Sequence, residues 1–170
     1  MARPLYNERM KKGAGKAEEK IVAVSGGFDP IHVGHVRMLR AAKALGTRLV
    51  VIMNNDHWLR AKKGFVFMPQ EERKELIEAL ACVDEVVLTG HVPNDPDRSV
   101  VKALARIRPH IFANGGDRKS ETDIPEAIFC RDEDIEMVFN VGHGGKVSSS
   151  SDLAKSAAKA IAKIESRKRV

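Results

Sequence analysis

Short β-branched runs alternate with longer segments of helical period along most of this chain, and that alternation limits its fold more than any other feature. The runs are Ile21–Ser25, Arg48–Met53, Glu85–Leu88, His110–Ala113 and Ile135–Phe139. Helical patterns occupy Gly34–Leu45, Pro69–Leu80, Pro96–Ile107 and Ser151–Ile164, with a shorter one near Ile124–Cys130; Gly46 follows the first as a stop signal. Leu49 to Met53 is apolar at every position, which suits a strand covered on both faces. The expectation is an α/β chain: a doubly wound parallel sheet of about five strands, with ligands bound outside the carboxyl ends of the strands.

With 170 residues and 43% hydrophobic composition, the chain can bury one ordinary core, so a single domain is expected. No apolar run approaches the roughly 20 residues that span a bilayer, and residues 1–20 lack the apolar segment of a secretory signal. A cytoplasmic protein without membrane contact is the expectation. Cys82 and Cys130 form neither a CxxC pair nor a Cys/His cluster, and are read as buried thiols.

The net charge of +6 sits at the ends. Residues 1–20 carry six Lys/Arg against three Asp/Glu, and residues 152–170 carry six against two, which leaves the body near neutral. That distribution reads as a basic leader (1–20), one folded domain (21–166) and a short basic tail (167–170), and argues against a groove that follows a nucleic-acid backbone.

The chemistry concentrates where the first strand runs into the first helix, at Ser25-Gly26-Gly27-Phe28-Asp29-Pro30-Ile31-His32-Val33-Gly34-His35. Consecutive glycines allow close backbone approach to a ligand, and a helix N-terminus offers amides and a positive dipole end to an anion. His32 and His35 flank Gly34 at the helix entry, where imidazoles can donate to phosphate oxygens and carry charge as it builds. The G-x-G-x-x-G of a redox dinucleotide fold is missing from this turn.

This stretch resembles the HxGH signature of the cytidylyltransferase-like nucleotidyltransferase superfamily, whose domain is Rossmann-like. The resemblance runs from about Ile21 to Leu153 and is similar to small bacterial glycerol-phosphate cytidylyltransferases and heptose-phosphate adenylyltransferases. It implies catalytic roles for His32, His35 and Lys62. Gly26, Gly27 and Phe28 then belong to the nucleotide site, as do Asp117 of the Asn114-Gly115-Gly116-Asp117 turn and Ser148, Ser149 and Ser150 of a serine-rich helix start. The acceptor falls to Ser25, Asp29, Asp56, Lys63 and Arg73, with Lys62 and Lys63 in a basic loop after the second strand. No arginine precedes the serines as in the glycerol-phosphate enzymes, so either Lys146 takes that role or the phosphate contacts differ.

The resemblance implies attack by an acceptor phosphate oxygen on the α-phosphorus of CTP or ATP, with release of pyrophosphate. Mg²⁺ is expected to travel with the triphosphate, since no all-protein metal cage is visible in the sequence. A homodimer acting on a small phosphorylated acceptor, such as a sugar or polyol phosphate, is the expected form. Two other classes compete: a nucleotide sensor of the same fold without catalysis, and a nucleic-acid module that uses the basic ends. The presence of both histidines disfavours the first, and the near-neutral body disfavours the second.

Overall fold

The structure is a computed structural model and describes residues 19–115, 124–142 and 149–168. Five strands, β1 (Ile21–Gly26), β2 (Arg48–Met53), β3 (Glu85–Leu88), β4 (Ile111–Gly115) and β5 (Glu136–Val141), form one sheet in the order β3-β2-β1-β4-β5. Every pairing in it is parallel. Among the described residues, six helices connect or follow the strands: α1 (Val33–Lys43), α2 (Asp56–Lys63), α3 (Gln70–Glu78), α4 (Val101–Ile107), α5 (Ala127–Asp132) and α6 (Ser150–Lys168).

The two-residue period of the strands sorts their side chains between two cores. Val22, Val24, Leu49, Val51 and Met53 pack with Leu39 and Ala42 of α1 and Ile77 of α3 on one face. Ala23, Ile52 and Phe112 pack with Ala103 and Leu104 of α4 and Cys130 of α5 on the other. Helices on both faces make the sheet doubly wound. The order reverses at β1, whose neighbours β2 and β4 lead outward in opposite directions, so the carboxyl end of β1 is the switch point where such sheets bind ligands.

Local chemistry moves several boundaries. Helix α4 begins at Val101 instead of Pro96, because Asp95 and Asp97 spend their carboxylates on the amides of Asp97 and Ser99 and hold the segment as a turn. Helix α6 runs on to Lys168, past the end expected at Ile164. Helix α2 replaces the expected basic loop: Asn55 caps its start by accepting from the Trp58 amide, Trp58 and Leu59 are buried, and Gly64 closes it at φ 84°. Lys62 and Lys63 therefore lie in a last helical turn. Cys130 is buried and Cys82 only partly so, and neither is in a disulfide.

Gly46 earns its place by close approach, since α1 has already ended at Lys43. The turn after α1 lies against the entry to β1, where the Thr47 and Arg48 amides both donate to the Lys20 carbonyl. A Cβ on Gly46 would collide with that carbonyl oxygen and stand 2.7 Å from Val22 Cγ2. Gly46→Ala is expected to lower stability by about 1–3 kcal/mol, the range for overpacking, as read from urea unfolding.

Candidate active site

The turn between β1 and α1 is built by packing as much as by its glycines. Phe28 sits at φ 50°, unusual for a bulky residue, and is held there with its ring buried. That ring fills the space above Gly26, where a Cβ would stand 3.0–3.3 Å from its atoms. Leu59 of α2 fills the space above Gly27, where a Cβ would meet Leu59 Cδ2 at 2.8 Å. Gly34 admits the His32 ring, whose Nδ1 and Cε1 would lie 2.9 and 2.8 Å from an added Cβ. The H-x-G-H spacing thus has a steric cause: the first imidazole folds back across the glycine.

That folding fixes the protonation of both rings. His32 is the N-cap of α1, and its Nδ1 accepts from the Gly34 amide at 3.1 Å. His35 Nδ1 accepts from the His32 amide at 3.3 Å, completing a capping box made of two histidines. A nitrogen that accepts from an amide carries no hydrogen, so in each neutral ring the proton is on Nε2. The rings stack with centroids 3.8 Å apart and planes 25° from parallel, and Phe28 and His35 meet in a T-shaped contact with centroids 5.0 Å apart. Burial, with the nearby His32 and Lys63 as lesser causes, pushes the His35 pKa down to about 3; burial also lowers that of His32. The charged imidazole envisaged from the sequence gives way, at His35, to a neutral ring whose Nε2–H is the donor.

Two further elements close on this turn. Ser150 Oγ donates to the Pro30 carbonyl at 2.9 Å, which seats the first turn of α6 against the turn before α1. Ser149 accepts from the Asp152 amide and caps α6. From the other side, Lys63 Nζ donates to the Asp29 carbonyl at 2.9 Å, and burial lowers its pKa. Lys62 lies 4.5 Å above the Trp58 ring, whose indole N–H donates to the Arg98 carbonyl. Ser25, at the end of β1, is partly buried.

Three side chains assigned from the sequence to substrate contacts are spent on the protein itself. Arg73 is fully buried; its guanidinium donates to the carbonyls of Met68, Gly27 and Asn54 and to Asp56 Oδ1 at 2.6 Å. It is a clamp between the turn, the end of β2 and α2, without a face left for an acceptor. Asp29 is buried, with its two carboxylate oxygens accepting from the Phe67 and Met68 amides. The Phe28 ring is buried in the core. Asp56 is tied to Arg73 but keeps part of its surface. Asp117 and Ser148 lie outside the described residues.

Sequence reasoning missed the support behind α2. The Asn55 amide donates to Thr89 Oγ, and its side chain donates to the His91 carbonyl at 2.7 Å. His91, itself buried, bridges Thr89 Oγ and the Ser99 carbonyl. An N-cap asparagine and a glycine eight residues past the helix start were the available signals; nothing local marks His91. Among the described residues, no group of three or more His, Cys, Asp or Glu side chains could hold a metal ion. The carboxylate of Asp29 is committed to amides and that of Asp56 to Arg73, so the site fits a Mg²⁺ held by a triphosphate's own oxygens rather than a protein cage.

The sequence profile of the cytidylyltransferase-like family matches residues 23–143. The chain belongs to that family. This cytidylyltransferase-like chain is 39% identical over 135 residues to the bifunctional protein HldE of Cronobacter sakazakii, covering 77% of the chain and 27% of that protein. It is 38% identical over 99 residues to the FAD synthase of Ferroglobus placidus, covering 58% of the chain and 60% of the synthase. The crystal structure of the lipopolysaccharide core biosynthesis protein from Thermoplasma volcanium superposes with a TM-score of 0.62 at 28% identity, covering 74% of this chain and 99% of that one. The chain spans about a quarter of the length of the HldE proteins it matches.

Two outcomes follow from this geometry. Arg73→Leu leaves three carbonyls without this donor and Asp56 with only its 3.9 Å pair to Arg60, and is expected to cost about 3–5 kcal/mol in urea unfolding, with Arg73→Lys recovering only part because an ammonium cannot reproduce the planar fork. For His35, the unfolded chain takes up a proton below its ordinary pKa of 6.5 while the folded ring resists until about 3. The stability this ring contributes is therefore complete above 6.5 and lost as the pH falls. The unfolding midpoint of the parent should drop relative to that of His35→Gln between about pH 7 and pH 5.

Proposed function

We propose that this chain is a nucleotidyltransferase: it joins the nucleoside monophosphate of ATP or CTP to a small phosphorylated acceptor and releases pyrophosphate. The observation that carries this reading is the pair of stacked, neutral imidazoles at the α1 N-terminus, each with its Nε2–H free of the backbone contacts that occupy Nδ1. Fixed neutral donors suit a triphosphate whose charge moves during displacement, because they need no reorganisation as that charge develops.

In this reading an oxygen of the acceptor's phosphate forms the new bond to the α-phosphorus. The bond from that phosphorus to the bridging oxygen breaks, and its electron pair leaves with pyrophosphate. The attacking phosphate is already ionised, so no base is required. His32 and His35 donate to the triphosphate oxygens. The amide backbone of Gly26 and Gly27 and the α6 start at Ser149 and Ser150, together with Ser148 and Asp117, hold the nucleotide. Lys62 and Lys63, with Ser25, receive the acceptor's phosphate, the exposed part of Asp56 accepts from the acceptor's hydroxyls, and Arg73, Asp29 and Phe28 position the turn. Mg²⁺ bound to the triphosphate offsets phosphate charge.

The FAD synthase relatives support formation of a phosphoanhydride, since FAD carries one between its two nucleotide halves, and they favour ATP because one half is adenosine monophosphate. A sugar or polyol phosphate remains the proposed acceptor. No helix among the described residues is long and apolar enough to cross a membrane. A cytoplasmic homodimer, working where nucleoside triphosphates are made, completes the reading.

Pyrophosphate release measured over a panel of triphosphates and phosphorylated acceptors tests it, with silence across the panel as the adverse result. Within an active pair, His35→Ala is expected to bind the triphosphate within a few-fold of the parent and to lose about 10²–10³-fold in kcat, the cost of one donor to developing charge. An unchanged kcat in a folded His35→Ala protein would remove His35 from the catalytic set.

A further inference from the structure

We infer that the two copies pair by laying the outer half of α6 from each into an acidic groove beside α3 of the other, a step that rests on the homodimeric part of the reading above. Helix α6 has 19 residues, and only its start is tied to the body. Ala154 and Ala157 are partly covered, whereas every described side chain from Ala158 to Arg167 is exposed. The apolar stripe that begins on the body at those alanines continues past it to Ile161 and Ile164, which are 56% and 55% exposed. A ridge of Lys155, Lys159 and Lys163, spaced one turn apart, runs beside it. A long helix of this kind is stable in isolation only marginally, and an apolar stripe on it calls for a cover.

The complementary surface lies on α3. Glu72, Glu75, Leu76 and Ala79 line a groove of about 350 Å³. Leu76 is 44% exposed in it, and neither Glu72 nor Glu75 pairs with a cation among the described residues. An apolar residue between carboxylates matches isoleucines beside lysines in both hydrophobicity and charge.

The chain's own leader is a poor occupant for α6, because residues 1–20 carry six Lys/Arg against three Asp/Glu and repel a basic helix. A lipid surface suits it little better, since the stripe holds alanines and three large aliphatic residues without an aromatic anchor. A second copy supplies the acidic groove, and two-fold symmetry makes the contact twice. Two reciprocal contacts, each along the outer half of α6 over roughly 16 Å, bury on the order of 1,000 Å², the scale at which a specific interface becomes stable.

Sedimentation of the full chain at micromolar concentration and low salt is expected to show a dimer that dissociates as salt rises. Lys159→Glu with Lys163→Glu in one protein, and Glu72→Lys with Glu75→Lys in another, should each weaken dimerisation by about 10-fold or more. Mixed one to one, the two reversed proteins should recover the dimer, because each altered surface then meets its opposite on the other chain. A third protein with Ile161→Glu and Ile164→Glu should stay monomeric in every mixture, with circular dichroism and thermal unfolding confirming that all variants fold. A parent chain that is monomeric, including one that sediments with phosphatidylglycerol vesicles instead, overturns both the interface and the homodimer. A parent dimer that none of the reversals weakens overturns this interface alone.

Discussion

The buried guanidinium of Arg73 ties together the pieces on which the site depends. It reaches the carbonyl of Gly27 in the β1–α1 turn, that of Asn54 at the end of β2, that of Met68 in the segment before α3, and the carboxylate of Asp56 on α2. Each of these backbone groups stands where a strand or helix has stopped and its own ladder offers no partner. One planar donor set answers several of them at once, which a lysine's point charge cannot do. Asp29 performs the mirror task, holding the amides of Phe67 and Met68 from the turn's side. Buried ions of opposite sign thus act on backbone rather than on substrate, and they fix the turn against the helix that carries Lys62 and Lys63.

On that frame, the histidine pair works by denial of charge. Stacking at 3.8 Å and burial make a second positive charge expensive, while the amides of His32 and Gly34 occupy both Nδ1 atoms. What is left is a pair of Nε2–H donors whose orientation the backbone has already set. A donor fixed before the substrate arrives stabilises developing charge without first having to turn, which is where preorganised sites gain over water. The lowered pKa of Lys63, beside the same turn, reflects the same shortage of solvent.

The helix α6 joins two roles at opposite ends. Its first turn is pinned to Pro30 beside the β1–α1 turn, while its last turns extend beyond the body with an apolar stripe exposed.

The sequence by itself determined the sheet and the place of the chemistry. Apolar runs such as Leu49 to Met53 can be satisfied only between two helical layers, and the eleven residues from Ser25 to His35 carry a strand end, a turn and a helix cap in their local spacing. It also left α2 half visible, in the Asn55 cap and Gly64 stop that bracket it. What the tertiary structure decided was which of the candidate side chains are buried against the protein's own groups. Arg73, Asp29 and Phe28 look like substrate contacts in the sequence because their residue types suit that work, yet apart from the Met68 carbonyl five positions from Arg73 their polar partners lie between 17 and 46 positions away, and the Phe28 ring lies in the core. Burial and hydrogen bonding over such separations are set by how the elements pack, and no local pattern of residues encodes them.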